Sequence, residues 1–214
     1  MKNCIDDLLV RASDPARVPD LTRQQRISLY ANGLLSKESE SLFSLDEISA
    51  ITAKPPTPVG SERIHFFSDS FWTFQRAVVD IFAQLVNQTC SFGIDEKNCN
   101  FKNLYDHIAG SAPAHMMAPH LGAIYCSPEY RQLNDYRNCS VHRRQVYLEV
   151  RKVEKVYDTP GYSTGSFTRF EWYICDNPLD VAPAITSRLL EPYCRVVYEK
   201  VYDLVETPIK TLLP

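Results

Sequence analysis

The clearest periodicity in the chain lies between Ser68 and about Gln88, where Phe71, Phe74, Val78, Ile81, Phe82 and Leu85 fall on one stripe of a helix. So broad and aromatic a stripe predicts the central core helix, with packing rather than a cofactor groove as its use. Upstream, Thr22-Arg23-Gln24-Gln25 fits a capping box, in which the hydroxyl and the Gln side chain each satisfy an orphan backbone amide, and Ile27, Tyr30 and Leu34 follow at helical spacing. Ser44-Leu45-Asp46-Glu47 repeats the device and predicts a second helix start. The first twenty residues are polar and Pro15 and Pro19 stop regular helix, so that stretch reads as a mobile arm or lead-in loop. Residues 53–60, with three prolines and a glycine, cannot donate a regular hydrogen-bond ladder and read as a semi-rigid extended linker.

Downstream, shorter helices are predicted from Phe101 to Ala109, closed by Gly110, and from Pro113 to Leu121, closed by Gly122. Ser127-Pro128-Glu129 is a helix start: Ser caps, Pro suits the first position, and Glu favours the positive end of the dipole. That helix should run to about Gln145. The pattern then alternates, with Val146, Leu148 and Val150 against Tyr147, Glu149 and Arg151, and again with Phe170, Trp172 and Ile174 against Arg169, Glu171 and Tyr173. Turn formers from Asp158 to Gly165 make the two runs an antiparallel hairpin with a loose tip. A last helix is expected from about Val181 to Val205, kinked or broken at Pro192. The fold class is therefore mostly α: an N-terminal helical extension over residues 1–55, then a helical domain over 60–214 with a β-hairpin inserted at about 146–175.

Charge and cysteine usage narrow the function. With 23 Lys and Arg against 26 Asp and Glu, the net charge of -3 excludes a protein that coats nucleic acid or membrane through its overall field. An anionic partner must be held by a local patch. The acidic N-terminus is no signal peptide and no stretch has the apolar length of a membrane span, so a cytoplasmic protein without a membrane partner is expected. The seven cysteines are scattered and odd in number, which makes reduced, partly buried thiols the expectation. No Cys or His pair has the spacing of zinc ligands, so neither metal nor cofactor is expected.

Candidate chemistry concentrates in Arg137-Asn138-Cys139-Ser140-Val141-His142. Arginine is permanently charged and offers a fork of donors to phosphate oxygens, while histidine takes and returns protons near neutral pH. Together they suit RNA cleavage without metal, which needs a base for the 2'-hydroxyl, an acid for the leaving oxygen and a cation for the charged phosphorus centre. Positions 137 and 142 lie roughly 140° apart around a helix, so one regular helix does not easily aim both at one atom. A long-reaching arginine, a distorted helix or two copies of the helix meeting across a dimer would each solve this. Between Arg131 and Lys155 there is a local excess of four positive charges, in which Arg131, Arg143 and Arg144 are candidates for the RNA backbone.

The string Leu133-Asn134-Asp135-Tyr136-Arg137-Asn138-Cys139-Ser140-Val141-His142-Arg143 resembles the signature of the HEPN superfamily, in which an Arg, usually followed by a polar residue, precedes a His by four to six residues. The resemblance extends more loosely over residues 65–206 and does not cover 1–55. It implies an up-and-down helical bundle and a metal-independent endoribonuclease. Arg137 and His142 would be its catalytic pair, Asn138 would assist, and a homodimer would bring two motifs together. It also implies a toxin-antitoxin or antiviral defence setting in which an inhibitory partner protein restrains cleavage. Two other readings stand beside it: a catalytically silent HEPN-like dimer that binds a partner protein or nucleotide, and a regulatory subunit whose hairpin adds a strand to another protein.

Overall fold

The computed structural model describes residues 1–142, 146–157, 165–179 and 188–213, excluding the side chains of His142, Lys155, Tyr157 and Gly165. Among the described residues the chain forms seven helices and one three-stranded antiparallel sheet. The helices are α1 (Lys2–Ala12), α2 (Leu21–Thr52), α3 (Pro58–Cys90), α4 (Phe101–Ser111), α5 (Ala118–Cys126), α6 (Pro128–His142) and α7 (Leu190–Ile209). The strands are β1 (Leu148–Tyr157), β2 (Gly165–Ile174) and β3 (Arg188–Leu189). A mostly helical chain with a hairpin is thus what the sequence folds into. No helix is long and apolar enough to cross a membrane among the described residues.

Contacts divide the chain into two units, one of residues 1–41, 73–134 and 197–214, the other of residues 42–72 and 135–196. In the first, the expected N-terminal arm is instead helix α1. Cys4, Ile5, Leu8 and Ala12 recur at helical spacing and are buried, a narrow stripe hidden by the polar residues around it. The segment is tied at several points: Arg11 and Arg17 donate to the Leu213 carbonyl at 3.2 and 2.7 Å, and the Met1 amino group pairs with Glu206 at 3.3 Å. The two prolines lie beyond its end. Asp20, rather than Thr22, caps α2, its Oδ1 accepting from the Thr22 amide at 2.9 Å.

Helix α2 does not restart at Ser44. Ile27, Ala31, Leu34, Ser41, Leu45 and Ile48 are all buried in a seven-residue rhythm that carries the helix through the capping-like sequence. The proline-rich connection shrinks to residues 53–57, because Thr57 Oγ1 accepts from the Gly60 amide at 3.0 Å and Pro58 occupies the first helical position. Helix α3 therefore starts ten residues before the expected Ser68. Helix α5 is displaced from the expected Pro113–Leu121: it begins at Ala118, and Gly122 sits inside it while Leu121 and Ile124 bury its apolar side.

The second unit contains the sheet. Leu148 faces Ile174 and Tyr157 faces Gly165, a ten-residue register whose core end buries Leu148, Trp172 and Ile174. Strand β3, absent from the sequence reading, pairs among the described residues with Tyr173 and Ile174 of β2. Pro192 neither kinks nor breaks α7: the helix begins at Leu190, and Pro192 falls in the first turn, where no amide donor is needed. The expected start at Val181, the hairpin tip over 158–164 and the 143–145 end of α6 lie outside the described residues.

Candidate active site

Helix α6 begins as its sequence dictates, with Ser127 Oγ accepting from the Tyr130 amide at 3.1 Å. Tyr130, Leu133, Tyr136 and Cys139, three residues apart, are its buried stripe. In the second unit this stripe is held by aromatic packing and one polar anchor. The Tyr136 ring stacks on Trp72 of α3 with centroids 4.3 Å apart and planes 14° from parallel. Tyr193 closes the cluster at 6.0 Å from Tyr136, and Arg188 Nη1 donates to the Tyr193 hydroxyl at 2.9 Å. The Tyr136 hydroxyl donates to the Cys175 carbonyl just beyond β2. Burial pushes the Tyr136 phenol well above its usual value and the Tyr193 phenol up to about 12, so both stay protonated donors.

Beside this anchored face, Arg137 and Asn138 are half-buried, and Arg137 Nη1 donates to Asn138 Oδ1 at 3.3 Å. The expected arginine and its polar companion, adjacent in sequence, are thus in contact. His142 is the last residue of α6, and its side chain, like Arg143 and Arg144, lies outside the described residues. Arg131 is exposed on the same helix and donates to the Cys126 carbonyl at 3.1 Å, closing the end of α5. On the hairpin, Arg151 pairs with Glu149 at 2.8 Å and lies 4.2 Å over the Tyr173 ring, and Lys152 pairs with Glu154 at 2.9 Å. Such exposed pairs are weak and a phosphate backbone can compete for their cations.

Sequence reasoning missed a second polar group next to α6. His65 and Asp69, one turn apart on α3, lie in the same unit as Ser140. Burial raises the Asp69 carboxyl above the usual carboxylate range, opposed by the nearby Ser140 hydroxyl, Val146 amide and His65. Among the described residues, Asp69 Oδ1 and His65 Nδ1 are buried without a hydrogen-bond partner. The signal was present: had α3 been started at Pro58, His65 and Asp69 would have stood four apart on one of its faces. A buried carboxyl that keeps its proton to higher pH thus lies close to Ser140 of α6. Among the described residues no three His, Cys, Asp or Glu side chains gather closely enough to hold a metal ion. No family model, curated protein or solved structure matches the chain.

Proposed function

We propose that the chain is a metal-independent endoribonuclease of HEPN type. The observation that carries this reading is the Arg137–Asn138 contact: a half-buried guanidinium, held by its neighbouring amide, on a helix whose other face is locked by Tyr136 and Cys139. A locked helix keeps a charge-stabilising group in place without reorganisation during the reaction. In the proposed mechanism His142 removes the 2'-hydroxyl proton, the ribose oxygen attacks the adjacent phosphorus, and the 5'-oxygen departs with a proton from a second imidazole. Arg137 stabilises the charge on the phosphoryl oxygens, and the products are a 2',3'-cyclic phosphate and a 5'-hydroxyl. A homodimer in which two α6 helices approach across a two-fold axis supplies the second His142. An inhibitory protein that restrains this activity belongs to the same reading.

The test is incubation of single-stranded RNA with pure protein in EDTA, wild type beside Arg137→Ala and His142→Ala. A silent scaffold is the second reading, favoured by the ion pairs that occupy the hairpin cations. It expects a dimer that leaves RNA intact.

A further inference from the structure

Beyond the short β3, the outer edge of β2 is open among the described residues. Tyr147 and Cys175 form a hydrogen-bonded pair across β1 and β2, with the Cys175 amide donating to the Tyr147 carbonyl at 3.1 Å. In an antiparallel ladder such pairs alternate, so Tyr173, Glu171 and Arg169 direct their backbone groups toward β1, and Trp172, Phe170 and Thr168 direct theirs away from it. Strand β3 takes up only Tyr173 and Ile174 before the chain turns into α7 at Leu190. Among the described residues no strand meets the outward amides and carbonyls of Thr168, Phe170 and Trp172.

A cleft of about 440 Å³ lies along that edge. Five consecutive residues of β2, Thr168 to Trp172, line it together with the 52–55 connection and the start of α7. Consecutive strand residues point to alternate faces, so a cleft lined by all five runs along the strand's edge rather than over one face. Trp172 is only 5% exposed, and its indole N–H has no acceptor among the described residues. The charges of the cleft are unequal in their satisfaction: Arg169 pairs with Glu171 and Glu191 with Arg195, whereas Lys54 has no carboxylate partner among the described residues.

We propose that this cleft binds an extended peptide segment bearing an acidic side chain, which joins the open edge of β2 as an added strand. The backbone of the peptide completes the ladder at Thr168, Phe170 and Trp172, a peptide or side-chain oxygen accepts from the Trp172 indole, and its carboxylate meets Lys54. Buried N–H groups are costly to leave without acceptors, and an open edge is a template for pairing, so both features point to the same occupant. The proposal is independent of the ribonuclease reading.

The experiment selects binders to the full chain from a random library of displayed nonapeptides and measures the enriched sequences as capped synthetic peptides. Amide exchange by NMR should slow at Thr168, Phe170 and Trp172 on peptide addition, and the Trp172 indole resonance should shift. N-methylation of the bound peptide should abolish binding at alternate positions only. Thr168→Pro removes an outward amide without touching the β1 ladder and should weaken binding about tenfold, the scale of one lost hydrogen bond. Lys54→Glu should erase the preference for acidic sequences. Failure to enrich any peptide, unchanged exchange at the three amides in a bound state, or equal tolerance of N-methylation at every position would each overturn the proposal. The last two readings use the wild-type protein, so they stand even if Thr168→Pro unfolds.

Discussion

Replacing Tyr136 with phenylalanine removes one oxygen from the aromatic cluster that fixes α6, and its cost can be worked from the contacts. The hydroxyl donates to the Cys175 carbonyl in a buried setting, and the ring stack on Trp72 survives the change. A buried hydrogen bond contributes about 1 kcal/mol net, and the partly desolvated carbonyl left behind adds up to about another, so Tyr136→Phe should cost about 1–2 kcal/mol. Tyr136→Ala also deletes the ring and the stack, and should cost about 3–5 kcal/mol, as aromatic truncations in packed cores do. For a chain of this size each kcal/mol lowers the melting temperature by about 2–4 °C. Urea unfolding followed by tryptophan fluorescence and by circular dichroism separates the two variants and shows whether both probes report one transition. A Phe variant within about 0.3 kcal/mol of wild type, or an Ala variant costing under about 1 kcal/mol, would refute the claim that this cluster anchors α6.

Three further expectations can be checked separately. Burial raises the Asp69 carboxyl, so the folded chain holds that proton to higher pH than the unfolded chain, and the group's contribution to stability falls as pH rises through the folded pKa. Asp69→Asn should flatten the stability profile above about pH 4, and an unchanged slope would count against a buried carboxyl there. Among the thiols, exposed Cys126 should react with an aromatic disulfide reagent at once, while Cys99 and Cys194, both raised by burial and Cys99 to about 11, should wait for unfolding; prompt reaction of either contradicts their placement. Light scattering should report a dimer at micromolar concentration, and a monomer throughout that range would count heavily against a site shared between two α6 helices.

The sequence was most legible where pattern and cap agree. Ser127-Pro128-Glu129 marks the start of α6 correctly, and the alternation through Leu148 and Trp172 sets both hairpin strands on the observed faces. It misled where a local signal was overruled by burial elsewhere. Ser44-Leu45-Asp46-Glu47 looks like a cap, yet Leu45 and Ile48 continue a buried stripe and the helix runs on. Pro192 reads as a break only if the helix is begun too early; from Leu190 it sits in the first turn, where proline costs nothing. Helix α1 was hidden because four small or apolar residues suffice when arginines 11 and 17 tie the end down. Within the candidate site, Arg137 and Asn138 are adjacent in sequence, so their contact needed no long-range information. His65 and Asp69 were legible only as a pair four apart on a helix begun at Pro58; their burial beside a helix about seventy residues away is contained in no local window.

The proposed activity is tested most directly by incubating a 5'-labelled single-stranded RNA with freshly purified protein in excess EDTA and resolving the products by their ends. Cleavage should proceed without divalent ions and leave 2',3'-cyclic phosphates, and a DNA of the same sequence should remain intact because it lacks the attacking hydroxyl. Arg137→Ala and His142→Ala should each slow cleavage about a hundredfold or more with nearly unchanged melting, and Asn138→Ala should be milder. Intact RNA with the wild-type protein, or cleavage by either the Arg137 or the His142 variant at the wild-type rate, would contradict the account.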